Sequence, residues 1–66
     1  MLTHYSVHYY YGNLELIQKH YDQARREYEA CLKIALSETP IHPIVPAAYY
    51  SLACVEFELK HIDTAM

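Results

Sequence analysis

The chain contains an internal repeat with a period of 41 residues. Residues 12–24 and residues 53–65 align without a gap, and both segments carry Lys-His, an apolar residue, Asp, any residue and Ala. A unit of this length cannot bury its apolar face alone, so units of this kind stack side by side. The repeat therefore predicts a piece of an all-α helical solenoid.

The composition indicates helices joined by one stiff connector. Apolar residues make up 53% of the 66 residues, which argues against a disordered segment, and all three prolines lie between Pro40 and Pro46. A chain this short forms at most one small domain and rarely has enough core to be stable without a partner. The net charge is -3, and no basic cluster exceeds Arg25-Arg26. A nucleic-acid partner is not expected without a basic stripe.

The two cysteines and the N-terminus predict the compartment. Cys31 and Cys54 lie within helical apolar patterns, as small buried residues of a reducing compartment do. The N-terminus has no basic region followed by an apolar run, and no stretch reaches 18 apolar residues. We therefore expect no secretory signal, no membrane partner and a cytoplasmic location.

Three helices can be placed along the chain. The first is expected from about residue 3 to residue 19, with Thr3 as its N-cap. The second begins near Asp22, whose carboxylate can accept hydrogen bonds from the first turn, and ends near Glu38 because Pro40 disfavours helical geometry before it. These signals predict a first repeat unit at about 4–38 and a linker at 39–43.

The third helix is predicted to start the second unit. It covers about residues 44–60, with Pro46 in its first turn, where a missing N–H costs nothing. This helix is apolar on most sides and so needs neighbours on more than one face. A further helix is expected to start at 62–66, which makes about one and a half repeats. The apolar stripe of the second helix consists of Tyr21, Ala24, Tyr28, Cys31, Leu32 and Ala35.

The anchor residues resemble those of the tetratricopeptide repeat, a pair of antiparallel helices. That family has a small residue midway along its first helix, where Gly12 and Ala53 stand. It then has an apolar residue and an acid at the turn before an Ala, as residues 21–24 and 62–65 do. The resemblance implies structural roles for Gly12, Tyr21, Ala24, Tyr28, Leu52, Ala53 and Ala65.

The length of the repeat and its linker resemble a particular subfamily. The usual period is 34 residues, whereas the period here is 41. His42-Pro43-Ile44-Val45, followed after six residues by Leu52-Ala53, resembles the long repeats of the kinesin light chain type. His8, Pro46 and Glu56 depart from that pattern.

The resemblance implies a concave groove that holds partner peptides or helices. Tyr9 and Tyr50 are equivalent positions 41 residues apart that would line this groove on successive first helices. None of the predicted groove residues is Lys or Arg, which argues against a clamp for a partner's carboxylates. The predicted groove residues are Tyr9, Asn13, Leu16, Tyr50, Cys54 and Phe57.

No constellation for catalysis or cofactor binding is found in the sequence. His4 and His8 have the spacing of two metal ligands on one helical face, but no third ligand lies nearby on that face. Neither Cys31 nor Cys54 has partners that would complete a nucleophilic site. We therefore expect no enzymatic activity, no cofactor and no bound metal, although a metal-binding helical protein remains a distant hypothesis.

Two functions remain open from the sequence. The first is a scaffold or adaptor segment of tetratricopeptide type that binds partner proteins in its groove, with Asn13 offering hydrogen bonds. The second is a self-associating helical fragment with a structural role, in which the first and third helices pair across a homo-oligomer.

Overall fold

The protein is built from three α-helices. The computed structural model describes the backbone of residues 3–65 and the side chains of residues 3–61. Within that part, the elements are α1 (His4–Ile17), α2 (Tyr21–Glu38) and α3 (Ile44–Ala65). α2 packs against both other helices, whereas α1 and α3 touch each other only marginally. The all-α class predicted from the repeat is confirmed.

The first helix begins at the cap that the sequence predicted. The Thr3 side-chain oxygen accepts a hydrogen bond from the backbone N–H of Ser6 at 3.2 Å. This bond satisfies one of the N–H groups that have no partner within the first turn. The start of α1 is therefore fixed by its own sequence.

The turn between α1 and α2 is made by a residue in the left-handed region. Lys19 has a φ of 64°. Its N–H donates to the Leu16 carbonyl at 3.0 Å, and the N–H of His20 donates to the Glu15 carbonyl at 2.8 Å. This pair of bonds is the Schellman motif, which usually places Gly in the left-handed position. α1 consequently ends at Ile17, two residues before the predicted end.

The second helix begins one residue earlier than expected and without a side-chain cap. Its first residue is Tyr21, and no side chain caps its N-terminus. Asp22 does not play the predicted capping role, because its Oδ1 accepts a hydrogen bond from Arg25 Nη2 at 3.3 Å. Its charge still lies in the first turn, where the helix dipole favours an acid.

The linker is closed by His42. The backbone N–H of Ile44 donates to His42 Nδ1 at 3.0 Å, and the His42 ring meets the Tyr5 ring edge-on at a centroid distance of 5.6 Å. His42 therefore both caps the start of α3 and packs the linker. The contact also ties the linker to the start of α1.

The third helix is longer than the repeat predicted. α3 runs without a break to Ala65, so the expected end near residue 60 and the new helix at 62–66 do not match the structure. Met66 lies outside the described residues. At the equivalent place after α1, the turn depends on the left-handed Lys19 and on α2 packing back against α1.

The core lies along the apolar stripe of α2. One cluster packs α2 against the starts of α1 and α3, and the other packs Tyr28 and Ala24 of α2 against Val55 of α3. Leu52 and the half-buried Tyr9 contact both clusters. The first cluster consists of Tyr5, Cys31, Leu32, Ala35, Val45 and Ala48, and the second of Ala24, Tyr28 and Val55.

Candidate functional site

Tyr28 of α2 is the centre around which the helices meet. Its side chain is completely buried, and its ring lies against the backbone of Gly12 in α1. A Cβ atom added to Gly12 would lie only 2.7 Å from Tyr28 Cε1. The Tyr28 hydroxyl donates a hydrogen bond to Asn13 Oδ1 at 2.6 Å. Gly12 thus leaves space for the Tyr28 ring, and Asn13 accepts a hydrogen bond from its hydroxyl group.

The surroundings of Tyr28 shift the pKa of its hydroxyl group. Burial raises the pKa of Tyr28 above its ordinary value, and a hydrogen bond with Ser51 of α3 opposes that rise. Tyr9 and Cys54 each add to the increase in the pKa through electrostatic interaction. Of the predicted groove residues, Asn13 binds the Tyr28 hydroxyl directly, whereas Tyr9 and Cys54 act on its pKa through charge alone.

The α1 half of the predicted groove takes part in the helix packing. The Tyr9 ring lies 5.8 Å from the Tyr28 ring, centroid to centroid, and Leu16 packs against the cluster that contains Tyr28. Asn13 uses its carbonyl oxygen for the Tyr28 hydroxyl. Tyr9, which was predicted to line the groove, instead packs its half-buried ring against Tyr28 of α2.

The α3 half of the predicted groove is open to solvent. Tyr50 is 74% exposed and Phe57 is 67% exposed, while Cys54 between them is half-buried. The Phe57 ring stacks on the His61 ring at a centroid distance of 6.2 Å. Within the predicted groove, the apolar surface open to a partner therefore lies on α3.

The exposed residues of α3 are the repeat equivalents of the α1 residues that face α2. In α1 that face consists of Tyr5, Tyr9, Gly12 and Leu16. The residues 41 positions later are all exposed on α3 and form what we call the outer face of α3: Pro46, Tyr50, Ala53 and Phe57.

Ala53 shows most clearly how the two halves differ. The family resemblance implies the same structural role for Gly12 and Ala53, but Ala53 is exposed. α3 instead faces α2 with Val45, Ala48 and Val55, which are buried. The apolar character of α3 on more than one side was the sequence signal for a second exposed face.

The remaining structural repeat positions lie on both sides of the hairpin. Ala24 is completely buried beside Tyr28, and Tyr21 is half-buried against the same cluster. Leu52 bridges the two clusters from α3. Ala65 lies outside the residues whose side chains are described.

The histidines pair with carboxylates across α1 and the first turns of α2. His8 Nδ1 lies 3.4 Å from Glu27 Oε2, and His20 Nδ1 lies 2.8 Å from Glu15 Oε2. In residues 3–61, no group of three or more His, Cys, Asp or Glu side chains is arranged to hold a metal ion. The first pair links α1 to α2 and the second links the turn after α1 back to α1, so both have a structural role.

Other parts of the described surface are more polar. One surface depression between α1 and α2 contains none of the predicted groove residues and is lined by Tyr11, Glu15, Gln23, Arg26 and Glu27.

Cys31 is completely buried, and burial raises the pKa of its thiol. None of the described helices is both long and apolar enough to cross a membrane.

Comparisons with known proteins do not assign the chain to a family. No protein-family model, no curated protein and no solved structure gives a significant match.

Proposed function

We propose that the chain is a segment of a tetratricopeptide-like solenoid that binds other proteins, and that the outer face of α3 is its main binding surface. The observation that carries the proposal is the exposure of Tyr50 and Phe57 on either side of the small Ala53. Exposed aromatic residues around a small one form a shallow apolar site, and tyrosine and phenylalanine are enriched in protein interfaces.

The relation between α1 and α3 supports the solenoid part of this proposal. The residues with which α3 faces α2 include Leu52 and Val55, whose equivalents 41 positions earlier are Tyr11 and Leu14. Tyr11 and Leu14 are exposed on α1. At these two positions, α1 exposes the apolar equivalents of residues that α3 packs against α2, and the outer face of α3 exposes the equivalents of residues that α1 packs against α2. Stacked units of a solenoid have this property, because each helix packs against neighbours on two sides.

The chemistry of the site indicates what kind of partner it binds. An amphipathic helix can place a large apolar side chain over Ala53, between the rings of Tyr50 and Phe57. Glu56 and Glu58 lie next to this face, and Glu56 is already 3.6 Å from Arg25. With no Lys or Arg among the predicted groove residues, a partner with apolar anchors fits better than an acidic peptide.

A display selection tests this function. A library of helical and extended peptides is selected on the full chain, and the binders are titrated against Tyr50→Ala and Phe57→Ala. Each substitution should weaken binding by about ten-fold or more, since aromatic side chains at interfaces are frequent hot spots. Both side chains are largely exposed, so the thermal midpoint should stay close to that of the parent.

The matched control is Tyr10→Ala, which removes a 61% exposed tyrosine from α1. Its effect on the selected peptides should be within two-fold. Binders that ignore both Tyr50 and Phe57, or a selection that yields no binder, would contradict the proposed function of this face.

A further inference from the structure

The outer face of α3 has the pattern of a helix-pairing seam. Its residues, Pro46, Tyr50, Ala53 and Phe57, follow one another at steps of four, three and four, which is the spacing of the seam between two paired helices. Large and small residues occur at different levels of this seam. We propose that it pairs with the outer face of α3 in a second copy of the chain, antiparallel and with two-fold symmetry. This proposal rests on the proposed function and names the partner.

The order of large and small residues fits an antiparallel pair. A two-fold interface must be complementary to itself. The antiparallel register that sets Tyr50 of one copy opposite Ala53 of the other also sets Phe57 opposite Pro46. Every level then holds one aromatic ring and one smaller residue, which is how facing positions interlock without voids.

The protein already contains a contact of this kind. Between α1 and α2, the ring of Tyr28 lies directly on Gly12. Ala53 is the repeat equivalent of Gly12 and is exposed on α3. In the proposed dimer, Tyr50 of the second copy covers Ala53 in the way that Tyr28 covers Gly12.

The sizes of the facing side chains favour the antiparallel direction. A parallel pair in register would set Tyr50 against Tyr50 and Ala53 against Ala53, so one level would be overfilled and the next would leave a void. The antiparallel register avoids both.

The area available indicates a weak dimer. The exposed rings of Tyr50 and Phe57, with the half-exposed ring of Tyr49 beside them, offer about 400 Å² per copy if each aromatic side chain can bury about 150 Å² or somewhat less. With Pro46 and Ala53, the two copies together bury about 1,000 Å², the lower limit for a specific interface. We therefore expect a dissociation constant in the micromolar range.

Sedimentation equilibrium of the full chain, from micromolar to millimolar concentration, measures the dimer. The parent should show a monomer–dimer equilibrium, and Ala53→Arg should weaken it by at least about ten-fold, because a buried unpaired charge is very unfavourable. The control, Ile17→Arg, introduces the same charge at a 77% exposed apolar residue of α1 and should leave the equilibrium unchanged. Circular dichroism checks that both variants remain helical.

Disulfide trapping tests the register. In a Cys54→Ser background, a Tyr50→Cys chain mixed with an Ala53→Cys chain should cross-link to each other faster than either does to itself. Preferential linkage of Ala53→Cys to itself would overturn the antiparallel register. Cys31 is completely buried and should not compete.

The outcomes separate this inference from the proposed function. A chain that stays monomeric at millimolar concentration overturns the dimer, as does equal disruption by Ala53→Arg and Ile17→Arg. If selected peptides still require Tyr50 and Phe57 in that case, the face binds other proteins and only the dimer is lost. If neither self-association nor peptide binding depends on the face, both proposals fail.

Discussion

Substitution of Gly12 by Ala tests the contact at the centre of the protein. The added Cβ would lie 2.7, 2.9 and 3.0 Å from three ring atoms of Tyr28, so the ring must retreat by roughly 0.7 Å to reach ordinary contact. Overpacking of this kind costs about 1–3 kcal/mol. Movement of the ring also strains the 2.6 Å hydrogen bond to Asn13, which is worth about 1 kcal/mol. Replacement of Gly within a helix returns about 0.5–1 kcal/mol. We expect a net loss of about 1–3 kcal/mol.

The sign of the change separates this explanation from its alternative. Urea denaturation at low micromolar concentration, followed by circular dichroism, measures the free energy of unfolding. If Gly12 were in open space, Ala would raise the stability by its better helix propensity. A stability equal to or above that of the parent would therefore refute the close packing of Tyr28 on Gly12.

Two further variants locate the effect. Combined with Tyr28→Leu, Gly12→Ala should no longer destabilise, because residues in contact are not additive. Gly12→Leu should cost more than Gly12→Ala, whereas Ala53→Leu should change the stability by less than about 0.5 kcal/mol, because Ala53 is exposed.

Three other predictions follow from the backbone and the buried groups. Lys19→Gly should stabilise the protein by about 0.5–1 kcal/mol because Lys19 has a φ of 64°. Lys60→Gly, which places glycine within α3, should instead destabilise the protein by about 1 kcal/mol. Thermal melts of both variants check this contrast. A chromogenic thiol reagent should modify the half-buried Cys54 rapidly. It should modify the buried Cys31, whose pKa is raised by burial, only on unfolding. Equal modification rates in Cys31→Ser and Cys54→Ser would contradict this. Burial raises the pKa of Tyr28 above 10.0, so the unfolded state loses this proton at a lower pH than the folded state does. The contribution of Tyr28 to stability is therefore complete below pH 10 and declines as the pH rises further. Denaturation at several alkaline pH values should show a smaller decline in stability for Tyr28→Phe.

The local features of the fold could be predicted from the sequence because they depend on nearby residues. The spacing of apolar residues in α2 identifies the stripe that is buried, and Thr3 and Pro40 mark helix ends through their own chemistry. The position of Gly12 in the repeat also indicates a close helix crossing, and Tyr28 lies there.

The features that the sequence did not predict depend on which helices lie nearby. Ala53 occupies the same repeat position as Gly12 but is exposed, because no described helix packs on that side of α3. Lys60-His61 repeats Lys19-His20, yet α3 continues through it. Tyr9 was expected to face a groove, but its ring packs against the ring of Tyr28. In each case the neighbouring helix, and not the local pattern, decides what the residue does.

The two interactions inferred for α3 compete for one surface. The outer face of α3 is the repeat equivalent of the α1 face on which α2 packs, so a helix with the apolar stripe of α2 should fit it as well as a second copy does. A peptide of residues 21–38 added in excess should therefore shift the dimer toward a monomer–peptide complex, and the Tyr28→Ala version of the peptide should be weaker because it lacks the ring that covers the small residue. If the peptide binds without dissociating the dimer, the outer face is not the seam between the two copies.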